Sequence, residues 1–112
     1  MDIVVTIPRK EFGNIKKEDE WFKENPNSVW FWAISRKPKN LNKGDRVFFV
    51  ENNQITHYGV FDDFIYNPVC EVTGRVWFGL NMLFRKPAVD IKPMPYKGFR
   101  GFRYCEFKHE AP

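Results

Sequence analysis

The sequence predicts a small α+β domain, a β-barrel of about five or six strands with one main covering helix. Most of the chain consists of short runs of β-branched and aromatic residues, and turn residues lie between these runs. One segment near the N-terminus has apolar residues at helical spacing instead. With 112 residues, the chain is long enough for one real core and too short for two. We therefore expect a single domain over residues 1–112.

The N-terminal part of the chain is predicted to contain the first strand and the helix. Asp2–Ile7 is a β-branched run that a proline ends, which is typical of a strand. Between Asn14 and Asn25, apolar residues recur at roughly helical spacing among lysines and glutamates. Asn14 is the candidate N-cap, and Asn25 before a proline is the stop. We expect this helix to cover the sheet.

A β-hairpin is predicted in the middle of the chain, with strands at Arg46–Glu51 and Gln54–Phe61. The two asparagines between them tolerate the positive φ angles of a two-residue turn. Such a turn places Phe48 opposite His57. Both faces of the hairpin are mostly apolar, so we expect it in the middle of a closed or strongly curled sheet that another element covers.

Three further strands are predicted, at Val29–Ser35, Cys70–Leu80 and Pro87–Ile91. In the first of these, Trp30, Trp32 and Ile34 point to one face. Gly74 indicates a bulge or bend within the second. The tail, Tyr96–Phe107, alternates basic and aromatic residues around two glycines, and its last residues are candidates for an edge strand.

Composition favours an anionic partner and a cytoplasmic protein. The net charge is +4, the pI is about 9.1, and aromatic residues make up 18% of the chain. Cys70 and Cys105 are isolated, so we expect both to be reduced. The two cysteines and the two histidines have no zinc-site spacing, and no apolar run approaches membrane-spanning length. We therefore expect no metal, no cofactor and no membrane partner, and we assume a monomer.

Basic residues form two clusters, each beside aromatic residues. The first follows the tryptophan strand and the second lies in the tail; they contain Arg36, Lys37, Lys39 and Lys43, and Lys97, Arg100 and Arg103. A solvated loop is the ordinary explanation for each cluster, and core packing for each of Trp30, Trp32 and Trp77. Together they also match a base-stacking pocket with a phosphate-contacting rim, where stacking contributes about 1–3 kcal/mol per base.

Three segments of the sequence resemble the PUA-like superfamily, and within it the EVE and ASCH domains. They are F-W-A-I-S-R-K-P (Phe31–Pro38), N-K-G-D-R-V-F-F-V-E (Asn42–Glu51) and Y-G-V-F (Tyr58–Phe61). The resemblance implies a small pseudo-barrel whose cleft reads nucleic acid, often a flipped or modified base. The cleft would be lined by Trp32, Ser35 and Arg36, and by Tyr58 and Gly59. The G-x-K-x-x-T segment of ASCH-type amidohydrolases is absent, so their catalysis is not implied.

The predicted function is a non-catalytic nucleic-acid-binding module for RNA, or for a single-stranded, flipped or modified base. The predicted binding residues are Trp30, Trp32, Ser35, Arg36, Lys37, Tyr58, Gly59, Arg100 and Arg103. The tryptophans would stack on the base, Ser35 and the Gly59 backbone would form hydrogen bonds, and the cations would contact phosphates. No catalytic residue is predicted.

Two other functions are compatible with the sequence. One is a hydrolase of nucleosides or RNA on the same scaffold, in which an acid would lie beside a lysine inside the cleft. The candidate acids are Glu51, Asp62 and Glu71, and the candidate lysines are Lys37 and Lys43. The other is an interaction domain that binds a protein or peptide through exposed aromatic residues.

Overall fold

The computed structural model describes residues 1–9, 17, 20, 21, 23–25, 27–69 and 74–106, and these residues form seven strands. The strands are β1 (Ile3–Thr6), β2 (Trp30–Ala33), β3 (Arg46–Glu51), β4 (Gln54–Tyr66), β5 (Leu80–Phe84), β6 (Val89–Pro95) and β7 (Phe102–Tyr104). No helix in the described part of the chain is long and apolar enough to cross a membrane.

The seven strands form one open sheet. Its order is β2-β5-β4-β3-β1-β7, and β6 pairs with β4 beside this path. β1 and β3 are parallel, whereas all the other pairs are antiparallel. β2 and β7 are the two ends and do not pair with each other. The predicted α+β barrel is therefore wrong: the described residues are mostly strands in a sheet that does not close. The predicted helix between Asn14 and Asn25 lies largely outside the described residues.

The open sheet is nevertheless curled, because side chains from both of its ends pack on the same core. This first core contains Ile3, Val5, Ile7, Leu41, Val47, Phe49, Phe61, Met82 and Phe84. Trp30 and Trp32 of β2 pack against it, and so do Phe102 and Tyr104 of β7. Since β2 and β7 lie at opposite ends of the strand order, the sheet must bend until these ends approach each other. A gap remains between them.

The second face of the sheet carries a separate core, so both faces of the hairpin are buried, as predicted. This core contains Val4, Phe48, Val50, Ile55 and Tyr58, and residues of β6 and of the segment after it pack against it. Hydrogen bonds fix that segment on the sheet: the Gly98 N–H donates to Asn53 Oδ1 at 3.0 Å, and the Phe99 N–H donates to Thr6 Oγ1 at 3.1 Å. In the described part of the chain, β6 and the tail therefore cover this face.

The hairpin has the predicted turn but a different register. Its two turn asparagines have φ angles of 51° and 59°, and Val50 lies opposite Ile55 as predicted. The register then shifts, so that His57 lies opposite Phe49 and Phe48 lies opposite Tyr58. The predicted pairing of Phe48 with His57 is wrong because a β-bulge adds one residue to β4. As a result, Phe49 and His57 stack with their ring centres 4.9 Å apart.

Two strands between the hairpin and the tail differ from their predicted positions. The predicted strand Cys70–Leu80 is wrong in its described part, because residues 74–79 contain only an isolated bridge at Val76, and β5 begins at Leu80. The prediction for Pro87–Ile91 is shifted toward the C-terminus, since β6 runs to Pro95. Among the described strands, β6 pairs only with β4, and an edge position tolerates prolines, which cannot donate to a neighbouring strand.

Candidate functional site

A cavity of about 360 Å³ lies in the gap between the two ends of the sheet. Its lining residues are Val5, Thr6 and Pro8 around the end of β1, Trp32, Ala33, Ile34 and Ser35 around the end of β2, and Trp77 and Gly101. Among the described residues, β7 pairs with Ile3–Val5 and not with Thr6, the last residue of β1. We call this the apolar cavity, because two tryptophans and several aliphatic side chains dominate its lining.

The two tryptophans of the apolar cavity are held by other parts of the protein. Trp32 packs edge-on against Phe49, with ring centres 5.3 Å apart. The Trp77 carbonyl accepts a hydrogen bond from Asn81 Nδ2 at 3.1 Å, and the Arg75 guanidinium lies 5.2 Å from the centre of the Trp77 ring. Both rings are therefore positioned before a ligand arrives, which lowers the entropy lost on binding.

A second depression, of about 330 Å³, adjoins the apolar cavity. We call it the basic cleft, and its lining residues are Arg36, Lys37, Lys39, Phe102, Arg103 and Tyr104. Ser35 of the cavity precedes Arg36 of the cleft, and Gly101 of the cavity precedes Phe102 of the cleft. The two depressions have no lining residue in common, but consecutive residues of the same two segments line them, so they lie next to each other.

Three cations of the basic cleft, Arg36, Lys37 and Arg103, lie over aromatic rings. The Arg36 guanidinium is 5.3 Å from the Phe102 ring centre, and the Arg103 guanidinium is 4.4 Å from the Phe99 ring centre. Lys37 Nζ is 5.3 Å from the Phe64 ring centre. None of the cleft cations forms an ion pair with a carboxylate of the described residues. Because an aromatic ring supports a cation without cancelling its charge, the cleft keeps a positive potential.

The predicted binding residues fall into two groups in the structure. Those that line the cavity or the cleft are Trp32, Ser35, Arg36, Lys37 and Arg103. The others lie elsewhere. Trp30 stacks on Phe84 in the first core with ring centres 4.1 Å apart, and its indole N–H donates to the Lys86 carbonyl at 2.8 Å. A Cβ at Gly59 would lie 2.7 Å from the Trp30 ring, so Gly59 accommodates that ring.

The two remaining predicted residues also lie outside both depressions. Tyr58 is buried in the second core. Arg100 is exposed but lines neither the cavity nor the cleft. Sequence reasoning left Lys39, Phe102 and Tyr104 out of the predicted set. The sequence did contain a signal for these three residues, because Lys39 belongs to the first basic cluster and Phe102 and Tyr104 belong to the aromatic tail. Thr6 and Pro8 gave none, since their exposure depends on where β7 stops.

The acid–lysine pair that a hydrolase would need lies away from the cleft. Lys43 Nζ is 3.3 Å from Asp62 Oδ1, and Arg85 Nε is 2.8 Å from Asp62 Oδ2. The hydrogen bonds from Arg85 and Lys43 lower the pKa of Asp62, so its carboxylate is ionised near neutral pH and cannot act as a general acid. Neither Asp62 nor Glu51 lines the cavity or the cleft, and Glu71 lies outside the described residues.

His57 is a packing residue in this structure. It is 4% exposed, it stacks on Phe49, and its Nδ1 lies 2.9 Å from the Thr56 hydroxyl. Burial lowers the pKa of His57 to about 4, although nearby Asp90 raises it in part. The imidazole is therefore neutral at neutral pH. Across the described ranges, no group of three or more His, Cys, Asp or Glu residues is arranged to hold a metal ion.

Comparisons with protein-family models, curated proteins and solved structures give no match for this chain. The resemblance to PUA-like domains therefore stays a prediction. Cys105 is not part of a disulfide, whereas Cys70 lies outside the described residues, so the reduced state of both cysteines also stays a prediction.

Proposed function

We propose that the protein is a nucleic-acid-binding module that takes an unpaired base of RNA, or of another single strand, into the apolar cavity. The basic cleft would contact the adjoining phosphates. The observation that carries this proposal is that the two depressions lie side by side, lined by consecutive residues of the same two segments. An apolar, tryptophan-walled cavity thus lies beside a cleft whose cations have no carboxylate partner among the described residues. A nucleotide has the same two parts, a flat apolar base and an anionic phosphate.

The apolar cavity suits a base in size and chemistry. Its volume of about 360 Å³ lies within the usual range for small-ligand sites. Trp32 and Trp77 offer aromatic faces for stacking, a contribution of about 1–3 kcal/mol per base. Ser35 provides a hydroxyl that can donate and accept hydrogen bonds at a base edge. A base in a duplex is already stacked, so the cavity favours a single-stranded or flipped base.

The basic cleft suits phosphate. Guanidinium groups bind phosphate oxygens through two parallel hydrogen bonds, and a guanidinium stacked on a ring keeps its in-plane donors available. The Arg36 and Arg103 guanidiniums both lie over rings, 5.3 and 4.4 Å from the ring centres. We include in the proposal a cytoplasmic location, which the two isolated cysteines favour, and a monomeric state.

A salt titration of binding tests the proposal. Fluorescence anisotropy with a labelled single-stranded RNA should show log affinity falling linearly with log salt. Arg36→Ala combined with Arg103→Ala should flatten that slope by about 1.4, because each lost phosphate contact removes about 0.7. The matched control is Lys86→Ala with Lys92→Ala, which removes equal charge from exposed positions that line neither depression. The control slope should stay close to that of the wild type.

A cavity variant separates stacking from charge. Trp77→Ala should weaken binding by about 5- to 150-fold, the range of one base-stacking contact, and leave the slope unchanged because stacking releases no counterions. If the wild type binds neither RNA nor single-stranded DNA at low salt, the proposal is overturned. The hydrolase and peptide-binding functions then become the leading alternatives.

A further inference from the structure

A third depression shares part of its lining with the apolar cavity. We call it the outer groove; it has a volume of about 420 Å³ and is lined by Ala33, Ile34, Ser35, Phe78, Gly79 and Leu80. Ala33–Ser35 is shared with the apolar cavity. The same segment, residues 33–35, therefore lines both the outer groove and the cavity, and the residues 36, 37 and 39 that follow it line the basic cleft.

Phe78 is the most exposed of the large apolar side chains in the described part of the chain, at 82%. Burying a phenylalanine contributes about 1.5–3 kcal/mol, and this side chain gains almost none of that within the protein. Its neighbour Trp77 lines the cavity, whereas Phe78 lines the outer groove. Two consecutive aromatic residues therefore line two adjacent depressions.

The segment that carries Phe78 is firmly attached to the rest of the sheet. The Gly79 N–H donates to Asn67 Oδ1 at 2.7 Å, and the Trp77 N–H donates to the Pro68 carbonyl at 2.8 Å. Asn81 Nδ2, which is fully buried, donates to the carbonyls of Trp77 and Gly79 at 3.1 and 3.3 Å. The exposed ring is thus presented by a backbone that hydrogen bonds hold on both sides, and a ligand would not have to order it.

We propose that Phe78 is a second base-stacking position, so that the ligand is a single strand of at least two nucleotides. One base would occupy the apolar cavity and a neighbouring base would stack on Phe78 in the outer groove. The phosphate backbone would continue into the basic cleft. This inference rests on the proposed function. It adds the class of ligand: an oligonucleotide rather than a single nucleotide or a lone modified base.

The order of the depressions and their charges favour this occupant. The cleft beyond the cavity carries Arg36, Lys37 and Lys39, so a strand that follows residues 33–39 runs from stacking surfaces into a positive potential. Repeated aromatic platforms beside a basic groove are how proteins bind single strands without reading each base. A peptide partner would need no such charge.

Ligand length is the quantity that tests the inference. Anisotropy or calorimetry would measure the affinity of the wild type for a mononucleotide, a dinucleotide and a hexanucleotide of the same base. We expect a gain of about 5- to 150-fold from the mononucleotide to the dinucleotide, the value of one stacked base. Phe78→Ala should remove this gain without changing the mononucleotide affinity. Phe78→Trp should keep it.

The control is Val69→Ala, another exposed apolar side chain before β5, which lies outside the outer groove. It should leave the length dependence unchanged. Because Phe78 is mostly exposed, Phe78→Ala should also keep the melting temperature of the wild type.

A wild type that binds the mononucleotide and gains no affinity from a second nucleotide overturns the inference, while the proposed function stands. A gain that persists in Phe78→Ala overturns it as well. Absence of binding at every length overturns the proposed function itself.

Discussion

The basic cleft and the ion-pair cluster around Asp62 use the same kinds of cationic side chain in different ways. In the cluster, Lys43 and Arg85 lie 3.3 and 2.8 Å from the oxygens of one carboxylate. In the cleft, Arg36 and Arg103 lie on aromatic rings, with no described carboxylate within ion-pair distance. The cluster partly cancels its own charge, and the cleft does not. A charge count along the sequence treats the two regions alike, whereas their partners distinguish a structural contact from an anion-binding surface.

The comparison also explains why aromatic residues surround the cleft. A guanidinium beside a carboxylate must lose that partner before it can bind a phosphate. On a ring face it keeps about 0.5–1 kcal/mol of attraction and can still form hydrogen bonds in its own plane. Phe99 and Phe102 therefore position the arginines of the cleft without competing for their charge.

Charge reversal inside the cleft should have the largest effect. Arg103→Glu should reduce the affinity for single-stranded RNA at low salt by about 1000-fold, because it removes one phosphate contact and places a carboxylate against the others. Stability should fall by no more than about 1 kcal/mol, the value of the lost contact with Phe99. Anisotropy measures the first effect and urea unfolding the second.

The neighbouring arginine supplies the matched control. Arg100→Glu makes the same change in net charge three residues earlier, at an exposed position that lines neither depression. We expect its effect on affinity to be less than about 5-fold, through long-range field alone. Equal losses in the two variants would show that the whole tail, rather than the cleft, binds the anion.

A pH change should have the next largest effect, and it acts away from both cationic regions. Burial holds the pKa of His57 at about 4 in the folded chain, against about 6.5 when unfolded. The unfolded state therefore takes up a proton first as the pH falls. Above pH 6.5, the buried neutral imidazole therefore contributes roughly 3 kcal/mol to the free energy of unfolding. This contribution is lost progressively as the pH falls to about 4.

Urea unfolding between pH 7.5 and 4 checks this expectation. His57→Gln should flatten the dependence over that range, even if the variant starts less stable. His109→Gln replaces the other histidine of the sequence, and a wild-type pH dependence in that variant would assign the effect to His57. A wild-type stability that is constant from pH 7.5 to 5 would contradict the burial of a neutral imidazole.

Local sequence signals predicted the hairpin and the first strand well, and the closure of the sheet poorly. The β-branched runs and the two turn asparagines are local features, and β3 has its predicted bounds, Arg46–Glu51. The bulge in β4 and the start of β5 depend on tertiary contacts. Asn81, a polar residue in the middle of β5, is fully buried because its amide holds the Trp77 and Gly79 carbonyls. Nothing in the sequence indicates that those carbonyls would be nearby.

The site was predictable in its chemistry but only partly in its residues. Clustering of cations beside tryptophans indicated Trp32, which lines the apolar cavity, and Arg36 and Arg103, which line the basic cleft. Trp30 has the same surroundings in sequence as Trp32, yet it stacks on Phe84, where Gly59 leaves room for its ring. Alternation along a strand assigns both tryptophans to one face and cannot tell which lies nearer the open end of the sheet.

Charge reversal in the cluster should have the smallest effect and should act on stability alone. Arg85→Glu places a second carboxylate beside Asp62 and removes the hydrogen bond that contributes most to the lowered pKa of Asp62. Because Arg85 is largely exposed, we expect a loss of at most about 1 kcal/mol in urea unfolding. The Asp62 carboxyl resonance should titrate at higher pH in the variant.

Lys86→Glu is the control, because it makes a charge reversal of the same size at the next residue. It should leave the Asp62 titration unchanged. Affinity for RNA should stay within about 5-fold of the wild type in both variants, since neither residue lines the cleft. If Arg85→Glu instead weakened RNA binding as strongly as Arg103→Glu, the net charge of the protein would govern binding, and the partners of individual cations would not.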